Sequence, residues 1–283
     1  MDKKLRIIVC AHKEDEHIKR NEPYFPLQVG KDVHPELDLG IACDNIGDNI
    51  SIKNPSWCEL TALYWGWKNI NDVEFLGLNH YRRYFKVDNI ENVVNRYLGG
   101  QNSVDMIVAK NVDNLSNHQR MNDLIEMTSS EDAFLFADTF LSIYPQYEKS
   151  FINYFYNSRK SYPFQLFIAH KSLYDEYCCF MFPVLKLFEK KSKLHGYTRQ
   201  KRVLGYLGEY FLGLFIECKG LRVKALDVED FSMPSKTSPF KQMIKRIPYF
   251  LIDKMYKKPT HIEIPAAVKV GFKADGIELL FCK

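Results

Sequence analysis

Several motifs that usually announce a function are missing from these 283 residues. There is no G-x-x-x-x-G-K-[ST] and no G-x-G-x-x-G, so neither a P-loop kinase nor a dinucleotide oxidoreductase finds its phosphate cradle. No Asp-x-Asp stands at a strand end. The eight histidines form no His-x-x-x-His or Glu-x-x-His pairing of convincing spacing, so the sequence argues for no metal centre. The seven cysteines are odd in number, scattered, and without a Cys-x-x-Cys pair, which suits unpaired thiols in a reducing compartment. The apolar runs from Tyr177 to Leu187 and Tyr210 to Ile216 fall short of the roughly 20 residues that a spanning helix requires. Ile7 to Cys10 is likewise too short for the core of an export signal. The expectation is a cytoplasmic chain that does not cross a membrane.

Net charge is small and gathered in one place. The net charge is +4, yet residues 240–258 hold Lys241, Lys245, Arg246, Lys254, Lys257 and Lys258 against Asp253, a local +5 that leaves −1 elsewhere. A basic surface spread over the fold, as nucleic acid would need, is therefore not expected. Basic, amphipathic and divided by Pro248, this segment suits the surface of an anionic membrane. The plainer alternative is a helix packed on the body with a solvated basic edge.

Composition is that of an ordinary globular chain, 46% hydrophobic and 26% charged. Leu5 to Cys10 reads as a buried strand of a parallel sheet, followed by an irregular stretch from His12 to about Val33 that contains Pro23 and Pro26 and is available for ligand contact. A short strand is predicted at Leu39 to Cys43, then a loop rich in turn formers to Pro55. Ser56 with Glu59 suggests a capping box for a helix to about Asn69. Glu74 to Leu78 is the next strand, and Val104 to Ala109 and Gln165 to Ala169 are further candidates. Helical patterns run from His118 to Arg159 with a break near Pro145, from Lys171 to Lys191, and from Arg202 to Ile216. Gly220 to Leu226 is a short strand, and a hairpin is predicted at the end, Ala267 to Phe272 with Ile277 to Phe281. The expected division is 1–235 as an α/β domain and 236–283 as the basic segment plus hairpin.

Asn79-His80-Tyr81-Arg82-Arg83 is the most unusual stretch. Two adjacent guanidinium groups at the end of a buried strand need an anion or acidic partners, and a pyrophosphate matches the planar fork of arginine. Pairing of both with carboxylates of the fold is the alternative. His80 titrates near neutrality and suits proton transfer or donation to phosphate. Asp44, Asp48 and Asn49 can hold ribose hydroxyls or a base edge, or simply bond their own backbone. Glu209 lies between glycines in an apolar helix, where a carboxylate serves either as a base or as the partner of Arg82, Arg83 or Arg202. Asp132, at a helix start, is a second acidic candidate that the helix dipole also explains.

Several segments together resemble the bacterial family catalogued as DUF4422: IIVCAHK (Ile7 to Lys13), GDNISIKN (Gly47 to Asn54), WCELTALYWGWKN (Trp57 to Asn69), GLNHYRRYF (Gly77 to Phe85), Phe167 to Glu189, and RVLGYLGE (Arg202 to Glu209). The family occurs among capsule, O-antigen and exopolysaccharide synthesis proteins and is regarded as glycosyltransferases. The resemblance implies a GT-A-like, Rossmann-like core with helical additions. It also implies a nucleotide-sugar donor, with UDP-hexose favoured because some relatives are associated with galactofuranose transfer. The acceptor is then a lipid-linked or oligosaccharide glycan at the inner face of the plasma membrane. Leu78-Asn79-His80-Tyr81 stands where many GT-A enzymes carry a metal-binding Asp-x-Asp, so Mn2+ or Mg2+ has no such motif here. By chemistry, Arg82 and Arg83 fall to the diphosphate, with His12, Lys13, Asp44, Asp48, Asn49, Asn79 and Arg202 as further donor contacts. His80, Glu209 and Asp132 are the candidates for catalysis. A catalytically silent nucleotide-sugar or glycan-binding subunit is the competing reading.

Overall fold

A computed structural model describes residues 4–100, 103–110, 120–158, 160–192, 201–232 and 259–281. Two compact units emerge: Met1–Val112, Tyr162–Phe180 and Gly220–Met233 form the first, and Asp113–Ser161, Met181–Lys219 and Pro234–Lys283 the second.

The first unit is built on β1 (Leu5–Ala11), β2 (Tyr24–Gln28), β3 (Ala42–Cys43), β4 (Phe75–His80), β5 (Arg83–Phe85), β6 (Met106–Ala109), β7 (Phe167–His170), β8 (Val223–Leu226) and β9 (Val228–Asp230). These form one sheet in the order β3-β2-β1-β4-β7-β6-β8, with β5 joined to β4 and to β9. The pairs among β3, β2, β1 and β4 are parallel, as is β6 with β8, while β7 runs antiparallel to both its neighbours. Six of the seven β1 residues are buried, the continuous apolar pattern of a strand covered on both faces. One face packs Leu5, Ile7 and Phe75 against Ile90 and Val94. These last two belong to α3 (Ile90–Tyr97), whose N-terminus is capped by Asn89 accepting from the Asn92 amide at 2.8 Å. The other face carries α2 (Leu60–Asn69), which follows the single-turn α1 (Asn54–Trp57). Gly66 lets α2 approach closely, because a Cβ there would collide with the Ile8 side chain and the Tyr174 hydroxyl.

The second unit is helical: α4 (Arg120–Met127), α5 (Ser130–Ile143), α6 (Glu148–Ile152), the later part of α7 (Lys171–Lys191), α8 (Val203–Lys219) and α9 (Ala266–Ala274). Phe136, Phe140, Phe151, Phe155 and Phe211 meet at its centre, with neighbouring ring centroids 4.4 to 6.4 Å apart.

Four expectations change. The stretch from His12 to Val33 contains β2, a strand that accommodates Pro26 because only β3, two residues long, pairs along its far side. The strand expected at Leu39 to Cys43 shrinks to Ala42–Cys43. Ser56 caps nothing: it lies inside α1, its hydroxyl donates to the Lys53 carbonyl, and α2 begins only after Cys58 and Glu59. The terminal hairpin is replaced by a helix, since Val268 and Phe272, four residues apart, are both buried on one face of α9. The segment 240–258 lies outside the described residues.

Candidate active site

The strand order reverses at β1, with β2 and β3 on one side and β4 on the other. The carboxyl ends of β1 and β4 therefore flank a switch point, the place where open α/β sheets hold their ligands. Cys10 pairs in register with His80, the last residue of β4, and His80 pairs in turn with Arg83 of β5. Tyr81 and Arg82 form the turn between them, so Arg82 projects from the tip of a tight hairpin.

The two arginines have different fates. Arg83 donates to Asp230 Oδ2 at 2.9 Å and to Ser232 Oγ at 3.2 Å, and its guanidinium lies 4.0 Å from the centre of the Phe164 ring. Burial pushes the Asp230 carboxyl up, but bonds from Ser232 and Arg83 outweigh it and hold the group below its ordinary value. Arg82 donates to the Tyr81 hydroxyl at 2.6 Å and is 4.0 Å from Asp15 Oδ2, with its side chain 32% exposed. Asp15 is itself engaged by His17 at 2.7 Å, and His17 stacks on Phe231 at 4.2 Å. Burial raises the Asp15 carboxyl, while hydrogen bonds and charge from His17, with Arg82 beyond, bring it below the usual range. His12 meets the Tyr81 ring edge-on at 5.5 Å. Thus His12, Asp15, His17, Tyr81 and Arg82 form one cluster, and the fold gives Arg83 a carboxylate of its own. Lys13 is exposed on the same loop.

Asn79 is fully buried, and neither atom of its amide has a hydrogen-bond partner among the described residues. An unsatisfied buried amide costs about 1–3 kcal/mol, so a polar partner at this strand end would be favoured.

The loop from Asp44 to Ser51 turns its polar groups inward. Asp44, fully buried, accepts from the Gly30 amide at 2.9 Å, the Lys31 amide at 3.2 Å and the Ser51 hydroxyl at 2.5 Å. Asn49 bonds the Gly47 carbonyl and the Ser51 amide. Asp48 accepts from the Tyr64 hydroxyl at 3.1 Å, and its backbone is bracketed by Asn69. These are the bonds of a built turn.

A profile described as a domain of unknown function, DUF4422, matches residues 6–220. The chain belongs to the DUF4422 family. No curated protein matches it. Among solved structures, the apo form of the bifunctional glycosyltransferase WbbM is similar, with a TM-score of 0.70 and 24% identity, over 84% of this chain and 48% of that one. The chain therefore spans about half the length of the solved structure it matches. The likeness shows a shared α/β glycosyltransferase-type fold.

The remaining candidates of this DUF4422 chain belong to its second unit. Asp132 is fully buried at the start of α5, where Ser129 donates to its Oδ2 at 2.8 Å and accepts from its amide at 2.9 Å, a reciprocal cap. Glu209 is half-buried in α8, and Arg202 is exposed just before it, 6.0 Å from the Tyr206 ring centre. Among the described residues, no group of three His, Cys, Asp or Glu is placed to hold a metal ion. Asp15, His17, Asp230 and Ser232 escaped the sequence reading because no spacing rule links Arg83 to a residue 147 positions away.

Proposed function

We propose that this DUF4422 protein is a glycosyltransferase that moves a hexose from a nucleoside diphosphate sugar to a glycan acceptor. The observation that carries the reading is the contrast between the arginines. Arg83 is neutralised at 2.9 Å by Asp230, whereas among the described residues the carboxylate nearest Arg82, at the switch point, is 4.0 Å away and already engaged by His17. On a GT-A-like core the donor diphosphate lies across the carboxyl ends of β1 and β4, with Arg82 donating to phosphate oxygens and His80 and Asn79 beside it. The residues present do not fit a hard cation: Asn79 and His80 offer an amide and an imidazole in place of paired carboxylates. Guanidinium donation then does the work of charge neutralisation on the leaving group. The donor proposed is a UDP-hexose, with galactofuranose among the first sugars to test. The acceptor is a lipid-linked glycan of a surface polysaccharide, approached with residues 240–258 against the anionic inner face of the plasma membrane.

Incubation with a panel of UDP-sugars and a lipid-linked acceptor tests the reading through release of UDP. Turnover with one donor, lost in Arg82→Ala, is the expected result. Thermal stabilisation by a UDP-sugar without turnover would overturn it in favour of a silent binding subunit. Flotation with anionic liposomes, unchanged after deletion of 240–258, would refute the membrane role.

A further inference from the structure

Glu59 stands out once the site is built, because it is a carboxylate only 6% exposed at the carboxyl edge of the sheet. A buried carboxylate needs a compensating partner or a task. Its position is deliberately fixed. Cys58, immediately before it, has φ +51° and ψ −129°, backbone that a non-glycine residue adopts at a cost of about 1–3 kcal/mol. Four hydrogen bonds hold that residue: the Cys58 amide donates to the Asn54 carbonyl at 2.8 Å, and the Cys58 carbonyl accepts from Asn54 Nδ2 at 2.9 Å, Thr61 Oγ1 at 3.1 Å and the Thr61 amide at 3.2 Å. Asn54 in turn fits because Gly30 has no side chain, a Cβ there falling 2.8 Å from its Oδ1. Such local strain, held from several sides, tends to mark functional positions.

The strain delivers Glu59 to a definite place. α2 follows the crossover from β3 to β4 and runs back across the sheet face that carries Ile8, so its first turn lies at the carboxyl ends of β1 and β4. On that face Cys10 is the end of β1, and burial pushes its thiol up, with Glu59, Asp44 and Cys58 adding to the rise in that order. His80, in register with Cys10 on the parallel neighbour, points to the same face, since paired residues of adjacent strands share a face and lie about 5 Å apart. Glu59 thus acts on Cys10, and His80 is the in-register neighbour of Cys10 on the same face of the sheet.

Resting on the transferase reading above, we propose that Glu59 is a positioning residue that pairs with His80 and keeps its imidazole protonated, giving the donor diphosphate a second cationic hydrogen-bond donor beside Arg82. Among the described residues, several other groups at this edge have partners of their own. Asp44 is held by three donors, Arg83 by Asp230, Cys10 and Cys58 are buried thiols, and Tyr177 of α7 donates to Gln165 at 2.9 Å. The charge arrangement is two cations facing the ligand, with Glu59 and Asp15 behind them.

The test is an NMR titration of the histidine rings in the full chain, with His80→Asn assigning the resonance, alongside binding of UDP across pH 6 to 9. In the wild type His80 should titrate above the ordinary value of about 6.5, and Glu59→Gln should lower it by about one unit or more. UDP affinity at pH 7 should fall about tenfold in the variant, while Glu59→Asp restores part of it. A wild-type His80 titrating at or below the ordinary value overturns the pairing, even if Glu59→Gln does not fold. So does an unshifted His80 in a folded Glu59→Gln. A shifted His80 without UDP binding in the wild type keeps the pair but removes the transferase reading, so the two failures are distinguishable.

Discussion

Replacing each arginine of the hairpin by alanine should separate two roles that the sequence presents as one. Arg83 and Asp230 are 24% and 16% exposed and 2.9 Å apart, and Ser232 and the Phe164 ring add a second hydrogen bond and a cation–π contact at 4.0 Å. Hydrogen bonds to charged groups contribute roughly 1.5–3 kcal/mol and an exposed cation–π contact about 0.5–1 kcal/mol, so Arg83→Ala should cost about 2–4 kcal/mol of stability. Arg82 has a 4.0 Å ion contact, one bond to the Tyr81 hydroxyl and a cation–π contact 4.7 Å from the Tyr81 ring centre, at a third-exposed position. An exposed pair contributes about 0–1 kcal/mol and an exposed cation–π contact about 0.5–1 kcal/mol, so Arg82→Ala should cost less than Arg83→Ala, about 0.5–2 kcal/mol. Turnover should respond in the opposite sense. Losing one oriented donor to a developing anion costs about 10²–10³-fold in rate, and this loss belongs to Arg82. Differential scanning calorimetry and UDP release on the same preparations measure both. Equal melting losses, or a turnover defect confined to Arg83→Ala, would refute the division of labour.

Asp44→Ala should destabilise the chain by about 3–5 kcal/mol in urea unfolding, because two backbone amides and a hydroxyl lose a buried charged acceptor; a loss under about 1 kcal/mol would return Asp44 to the ligand site. Gly77→Ala places a methyl 2.8 Å from Ile168 Cγ1 and 2.9 Å from the Phe167 carbonyl, which should cost about 1–3 kcal/mol by pushing β4 and β7 apart, checked by thermal unfolding. Asp230 has a folded-state value below its ordinary 3.8, so its contribution is complete above that pH and is lost as pH falls through the lowered value. Asp230→Asn should accordingly flatten the stability profile below the ordinary carboxylate value of about 4, measured by denaturant midpoint. Treatment with EDTA should leave sugar transfer unchanged, and abolition of transfer by EDTA with recovery on adding Mn2+ would sink the arginine-for-cation reading.

The parallel core was legible because its strands are apolar runs: Leu5–Ala11 and Phe75–His80 announce buried strands, and the stop at Asn79-His80 marks the edge where polar chemistry begins. β2 was not, because Tyr24-Phe25-Pro26-Leu27-Gln28 has a proline that reads as a breaker until the neighbour along its far side proves to be only two residues long. The Ser56-x-x-Glu59 string satisfies the capping-box pattern, but the chain is still helical at Ser56 and kinks at Cys58; a pattern of residue types carries no φ. The terminal segment was misread because Ala-Ala-Val-Lys-Val alternates for a few residues, while burial follows Val268 and Phe272 at helical spacing. For the site, the position of Arg82 was visible and the partners of Arg83 were not, since β5 meets β9 across more than half the chain.

Adjacent arginines at a strand end look redundant in a linear reading, but sheet geometry makes them opposites. Arg83 is the first residue of β5, whereas Arg82 belongs to the turn before it, so only Arg83 lies in register with β9. β9 supplies Asp230 in register with Arg83, and this strand pairing accounts for one of the two charges. What remains is one guanidinium at the hairpin tip and an imidazole whose face of the sheet is shared with Cys10 and approached by the first turn of α2. A diphosphate leaving group needs donors that are oriented before it departs, more than it needs a particular net charge. A hairpin tip anchored by the Arg83–Asp230 pair and a carboxylate set by a strained peptide at Cys58 both provide orientation. On the proposed reading, Arg83, Asp230, Asn54 and Thr61 touch no ligand and serve the fold, holding in place the residues that do.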